Sequence, residues 1–157
     1  MKIVIGSDHA GFALKEDLKK VLIQKGHQLT DVGCVSEDRC DYPDSAAGVA
    51  KKLVQGEAER GVLICGSGIG VCMTANRFAK VRAAVLRIEE DAKLSRQHND
   101  ANVACFGARL TNKKEAEKLL EIFLITEFEG GRHVGRINKI DEVSVIPAKA
   151  GIQKGSS

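Results

Sequence analysis

The chain has 157 residues, 43% apolar and 29% charged, with a formal net charge of +3, the balance of one soluble globular domain with a real core. Aromatics are 4% and tryptophan is absent, which argues against base stacking on nucleic acid. No apolar run approaches the roughly 20 residues that span a bilayer, so no membrane partner is expected either.

The strand-like run Lys2-Ile3-Val4-Ile5 starts at once and leaves no room for a signal peptide. Cysteines stand at 34, 40, 65, 72 and 105, an odd set with no Cys-x-x-Cys pair. That pattern points away from a disulfide framework or zinc knuckle and toward a reducing cytoplasm, with most of the thiols serving as small apolar groups.

A first strand is expected at 2–7. Leu14, Leu18, Val21 and Leu22 then share one face of a helix over 11–25. Further strands are expected at 28–32, 61–65, 82–86 and 102–106, with helices over 44–55, 69–79 and 89–97 between them. Asn112 and Glu115 have capping-box spacing ahead of Ala116, Leu119, Leu120, Phe123 and Leu124, which predicts an amphipathic helix. Gly130-Gly131 ends it, and a last helix runs to about Val143. This alternation predicts a single-domain, Rossmann-like three-layer sandwich: a five-stranded parallel sheet with helices on both faces, joined by right-handed crossovers. The domain takes residues 1–143; residues 144–157, with helix-stopping Pro147, read as a loose C-terminal extension.

Ligands of such sheets bind at the C-terminal ends of the strands. That rule singles out Asp8-His9, the run from Cys65 to Gly70, and Gly107 with Arg109. In the second, an apolar strand ends in a cysteine, and Gly66, Gly68 and Gly70 follow at alternate positions. Such a turn brings backbone N–H groups close to an anion, and the same field favours a thiolate at its mouth. A tight turn with close helix packing would use the same glycines. Three common loops do not fit. A Walker loop lacks its lysine, a dinucleotide fingerprint would need Gly or Ala where Val71 stands, and a cysteine phosphatase would need an arginine between Cys65 and Asn76.

Other residues admit two readings each. Arg132 and Arg136 would share one helix face, as a phosphate clamp or as a solvated basic patch. His133 points off that face and reads as surface. His98 ends a helix, as a proton carrier near pH 7 or as a C-cap, with Asn99 in the turn beside it. Asp8 could cap the following helix. Tyr42 is the only tyrosine, at a helix start. A thiol, a glycine turn, imidazoles and paired arginines together suit aldose–ketose isomerisation of a sugar phosphate. One base moves a proton between adjacent carbons, donors hold the enediolate, and the phosphate anchors the reacting end.

Six ordered motifs carry a resemblance: Gly6-Ser7-Asp8-His9-Ala10-Gly11-Phe12, Asp41-Tyr42-Pro43-Asp44, Cys65-Gly66-Ser67-Gly68-Ile69-Gly70, Ser95-Arg96-Gln97-His98-Asn99-Asp100, Asn102 to Gly107, and Glu129-Gly130-Gly131-Arg132-His133. With them the chain resembles the B-type ribose-5-phosphate isomerases, in the family that also holds galactose-6-phosphate isomerase subunits, from Met1 to about Glu142. The resemblance implies reversible isomerisation of ribose 5-phosphate and ribulose 5-phosphate. Cys65 would be the carbon-acid base, with Ser67 assisting at the substrate oxygens. Gly66, Ser67, Gly68, Ile69 and Gly70 would form the anion hole, and His98, near Tyr42, would open the ring. Asp8 and Asn99 would contact sugar hydroxyls; His9, Arg132 and Arg136 would contact the phosphate. It also implies no metal or organic cofactor, and a homodimer or tetramer whose sites are completed across the subunit interface. Some relatives use a glutamate a few residues beyond an absent loop cysteine; Thr74 and Cys65 place this chain in the cysteine branch. A six-carbon sugar phosphate, a non-catalytic sugar-phosphate binding module and a redox-sensing thiol protein stay open as alternatives.

Overall fold

The computed structural model describes residues 1–143. The extension at 144–157 lies outside the described residues. Eleven elements alternate along the chain: β1 (Lys2–Ser7), α1 (Phe12–Gln24), β2 (Gln28–Asp31), α2 (Tyr42–Val54), β3 (Arg60–Cys65), α3 (Ile69–Ala75), β4 (Ala83–Val85), α4 (Glu89–Gln97), β5 (Val103–Gly107), α5 (Lys113–Ile125) and α6 (His133–Val143). The five strands form one parallel sheet in the order β2-β1-β3-β5-β4, as the alternating pattern predicts.

Period-two alternation sorts each strand between two cores. Ile3, Ile5, Val62, Ile64, Ala104 and Phe106 face α1, α4 and α5, where Leu18, Ala92 and Phe123 are buried. Val4, Leu63, Cys65, Val103 and Cys105 face α2 and α3, where Val49, Val71 and Ala75 are buried. β1, β3 and β5 are covered on both sides, which is why they read as nearly continuous apolar runs, whereas the edge strand β2 is largely exposed.

The element ends have local causes. The Asn112 side-chain oxygen accepts the Glu115 N–H at 2.9 Å, and the Glu115 carboxylate accepts the Asn112 N–H at 3.4 Å, so the capping box starts α5 where expected. α3 ends at Ala75, four residues before the apolar pattern does. The Asn76 amide leaves the helix to pair with the Ala83 backbone in both directions, at 2.8 and 2.9 Å, tying α3 to β4. Among the described residues no helix is long and apolar enough to cross a membrane.

Cys34 and Cys40 form a disulfide across the β2–α2 loop, contrary to the expectation of free thiols; Cys65, Cys72 and Cys105 are free. The pairing depends on how the loop folds back, with the two Cα atoms 6.5 Å apart, and neither the count nor the spacing of the cysteines announces it.

Candidate active site

Cys65 is the last residue of β3, beside Gly107 at the end of β5. Two backbone bonds strap these strand ends together, from the Ala108 N–H to the Cys65 carbonyl at 2.8 Å and from the Arg109 N–H to the Gly66 carbonyl at 3.1 Å. Gly68 has φ +79, a left-handed conformation that turns the chain from β3 into α3, and its N–H donates to Cys65 Sγ at 3.2 Å. Ser67 Oγ accepts the Ile69 N–H at 3.2 Å. The first intrahelical bond of α3 comes from the Cys72 N–H, so the N–H groups of Gly70 and Val71 have no partner within the helix.

A cleft of about 330 Å³ opens over this turn, lined by Asp8, Tyr42, Cys65, Gly66, Ser67, Gly70, Arg109 and Leu110. Asp8 is buried, and its Oδ1 accepts the Gly11 N–H at 3.0 Å in the turn before α1; Gly11 is the N-cap and α1 has no side-chain cap, so Asp8 lines the cleft without capping the helix. Tyr42 opens α2 and lies against Gly70, where an added Cβ would come within 2.7 Å of its ring. Arg109 lies over Gly66, its Nη1 3.0 Å from where a Cβ would stand. The sequence reading placed Arg109 at a strand end without giving it a role. Its signal was that position, the C-terminal end of β5, where ligands of parallel sheets are met.

His9 stands at the rim, its Nδ1 3.1 Å from the Cys40 carbonyl and 3.3 Å from the Cys40 backbone nitrogen. The disulfide loop therefore fixes this imidazole. Beneath the cleft, burial and then Cys72 push the Cys105 thiol well above the ordinary range, so it stays protonated. Of the three free thiols, Cys65 is the one that lines the cleft.

The remaining candidates lie elsewhere. His98 caps the end of α4, five residues before β5, and Val103 pairs with Gly61 at the opposite end of β3 from Cys65. The strand between spans about 13 Å. The α5–α6 turn joins that end, the Glu129 N–H donating to the Gln97 carbonyl at 3.1 Å. Arg82, just before β4, binds both oxygens of Asp141 on α6 at 2.9 Å. Asn99 is held there too, its carbonyl accepting from Arg82 Nε at 3.0 Å. Arg132 and Arg136 flank the start of α6. Within one chain, His98, Asn99, Arg132 and Arg136 thus form a second group, apart from the Cys65 cleft.

His133 corrects the surface reading. It is 5% exposed, and its ring stacks on His98 with centroids 4.4 Å apart and planes 14° from parallel. Burial, then His98, Arg132 and Arg136, lower its pKa below the usual histidine value, against the pull of Glu129. His98, Glu129 and His133 offer ligand atoms within 4.8 Å of one another. Near-parallel imidazoles project their lone pairs side by side, which suits a stack better than convergence on one cation.

Fold and cleft together define a Rossmann-like α/β protein with a thiol and a glycine turn at its strand ends. The chain belongs to the ribose/galactose isomerase family, whose model matches residues 3–140. It is 42% identical to the ribose-5-phosphate isomerase B of Escherichia coli over 142 residues, covering 90% of this chain and 95% of that one. The ribose-5-phosphate isomerase B of Clostridium thermocellum superposes with a TM-score of 0.90 at 40% identity, covering 91% of this chain and 97% of that one. The Mycoplasma genitalium ribose-5-phosphate isomerase B structure, with bound ribulose-5-phosphate, superposes at 0.86 with 42% identity, covering 90% and 95%.

Proposed function

We propose that this chain interconverts ribose 5-phosphate and ribulose 5-phosphate as a homodimer whose two sites each combine residues of both copies. The observation that carries the reading is the Cys65 sulfur, held by the Gly68 N–H at the mouth of a turn with further N–H groups in reach. Ring opening breaks the bond from C1 to the ring oxygen; His98 of a second copy gives that oxygen a proton as the C1 hydroxyl loses one. Cys65 then takes the proton from C2, and the electron pair moves into a C1–C2 double bond. The developing oxyanion meets the N–H groups of the turn 66–70. Ser67, with Tyr42 alongside, serves proton movement from the C2 oxygen to the C1 oxygen, and Cys65 returns its proton to C1 as the ketone forms. Asp8 and Asn99 take sugar hydroxyls. His9, Arg109 and the Arg132–Arg136 pair of the second copy hold the phosphate, whose binding energy aligns the far end of the sugar. The chemistry asks for no metal or organic cofactor.

The separation of the two groups supports a second copy, since a sugar phosphate is too short to bridge the full depth of the sheet within one chain. Exposed apolar side chains beside each group, Ile69 and Met73 on α3 and Val134 and Ile140 on α6, support a surface for that copy. Three free thiols and the absence of a long apolar helix among the described residues favour the cytoplasm, although the half-buried Cys34–Cys40 bridge pulls the other way.

The test is turnover of ribose 5-phosphate and a panel of hexose 6-phosphates by chelator-treated protein, beside the Cys65→Ala variant. Ribose 5-phosphate is the expected substrate, and Cys65→Ala should lower kcat by about 10³-fold or more while substrate still binds. Turnover only of a hexose phosphate would shift the assignment to the six-carbon reaction. Turnover of none, or a fully active Cys65→Ala, would remove the isomerase reading.

A further inference from the structure

We propose that His133 is a positioning residue for the isomerisation: its ring is the plate against which the His98 imidazole is held flat. The proposal rests on the acid–base role of His98 given above. Among the described residues nothing hydrogen-bonds the His98 ring, so both of its nitrogens are left for substrate. Its orientation must come from packing, and the packing it has is the stack on His133 at 4.4 Å. The plate itself is well fixed. Gly130 and Gly131, at φ +66 and +56, make the turn that starts α6, and the His133 N–H donates to the Gly130 carbonyl at 3.1 Å. Phe128 flanks the ring, with centroids 6.5 Å apart and planes tilted by 57°, and Glu129 Oε2 lies 3.8 Å from Nε2.

Charge divides the labour between the two rings. The charged groups facing His133 are His98 from the end of α4, Glu129 from the turn, and Arg132 and Arg136 around the start of α6. Two imidazolium rings in face contact beside two guanidiniums would repel strongly. Burial and that repulsion lower the His133 pKa below the usual histidine value, which favours an uncharged ring as the face against which His98 is held.

His133→Phe keeps a flat ring and cannot titrate; His133→Ala removes the plate. Three readouts apply: kcat against KM, the pH profile of kcat, and the His98 ring-proton shifts by NMR in substrate-free protein. His133→Ala should lower kcat about 10- to 100-fold with KM within about threefold of the parent, and His133→Phe should restore kcat to within about threefold. The His98 ring protons should carry a ring-current shift that His133→Ala abolishes and His133→Phe retains. A His133→Phe variant as slow as His133→Ala, or with a displaced acid limb, would make His133 a proton carrier and overturn the proposal. So would an unchanged kcat in His133→Ala, or no ring-current shift on His98 in the parent. If His133→Ala does not fold, the parent spectrum and His133→Phe still decide. If the parent turns over no ribose 5-phosphate, the functional reading fails while the spectra still test the stack.

Discussion

Gly70 tolerates no side chain beside the Cys65 cleft without moving Tyr42. An added methyl would stand 2.7 Å from both Cε2 and Cζ of the tyrosine ring, far inside van der Waals contact. Tyr42 is 41% exposed at the start of α2, so the ring can swing outward rather than break the core. Gly70→Ala should therefore leave thermal stability within a few degrees of the parent yet lower kcat/KM about tenfold. Calorimetry beside steady-state kinetics checks this; a large drop in Tm with unchanged kcat/KM would contradict it. Cys65 and Gly70 thus shape one cleft in different ways, one through its sulfur and the other through the space it leaves.

At the scale of elements, Lys15 ties α1 to β2 and to the loop that frames the cleft. Its ammonium is 1% exposed, donates to both Asp31 oxygens at 2.8 and 3.0 Å, and also reaches the carbonyls of Gly33 and Cys34. Removing Asp31 leaves the buried cation with those carbonyls and with Glu16 at 3.7 Å. Asp31→Ala should cost about 3 kcal/mol and lower Tm by about 10 °C, measured by thermal denaturation. Burial would raise the pKa of Asp31, but Lys15, Lys19 and the Gly33 N–H outweigh it and hold the carboxyl below its usual value. The group's contribution to stability is therefore complete above about pH 4 and fades as pH falls through the lower folded-state value. Tm of the parent should fall over that acid range more steeply than Tm of Asp31→Ala; parallel curves would show that Asp31 is not linked to folding. From Gly33 the same loop runs through the disulfide to Cys40, which holds His9, so the clamp also steadies the rim of the site.

For the whole molecule, the decisive fact is that the Cys65 cleft and the His98–Arg136 group occupy opposite ends of one sheet. If a second copy brings them together, each site takes its thiol from one chain and its arginines from the other. Cys65→Ala and an Arg132→Ala/Arg136→Ala double variant should each be nearly inactive alone. Mixed after reversible dissociation, they should regain about a quarter of parental activity, because half of the random dimers carry one intact site. No recovery from mixtures shown to exchange subunits would mean that each chain works with its own residues.

Strand and helix order, the Asn112 capping box, and a cleft at the ends of β1, β3 and β5 were all legible in the sequence. They follow from local periodicity, local hydrogen bonding and the direction of parallel strands. The Cys65 turn was legible for the same reason, since a strand, a thiol and alternating glycines are contiguous. The roles expected of His98, Arg132 and Arg136 came from ordered motifs, which carry chemistry but no distance. Only tertiary structure decided the rest. It brought Arg109 over Gly66, closed Cys34 on Cys40, buried His133 against His98, and set the thiol a full strand length from the imidazole. Each of these joins residues distant in sequence or depends on how a loop closes, and no periodicity or pair spacing encodes such a contact before the chain has folded.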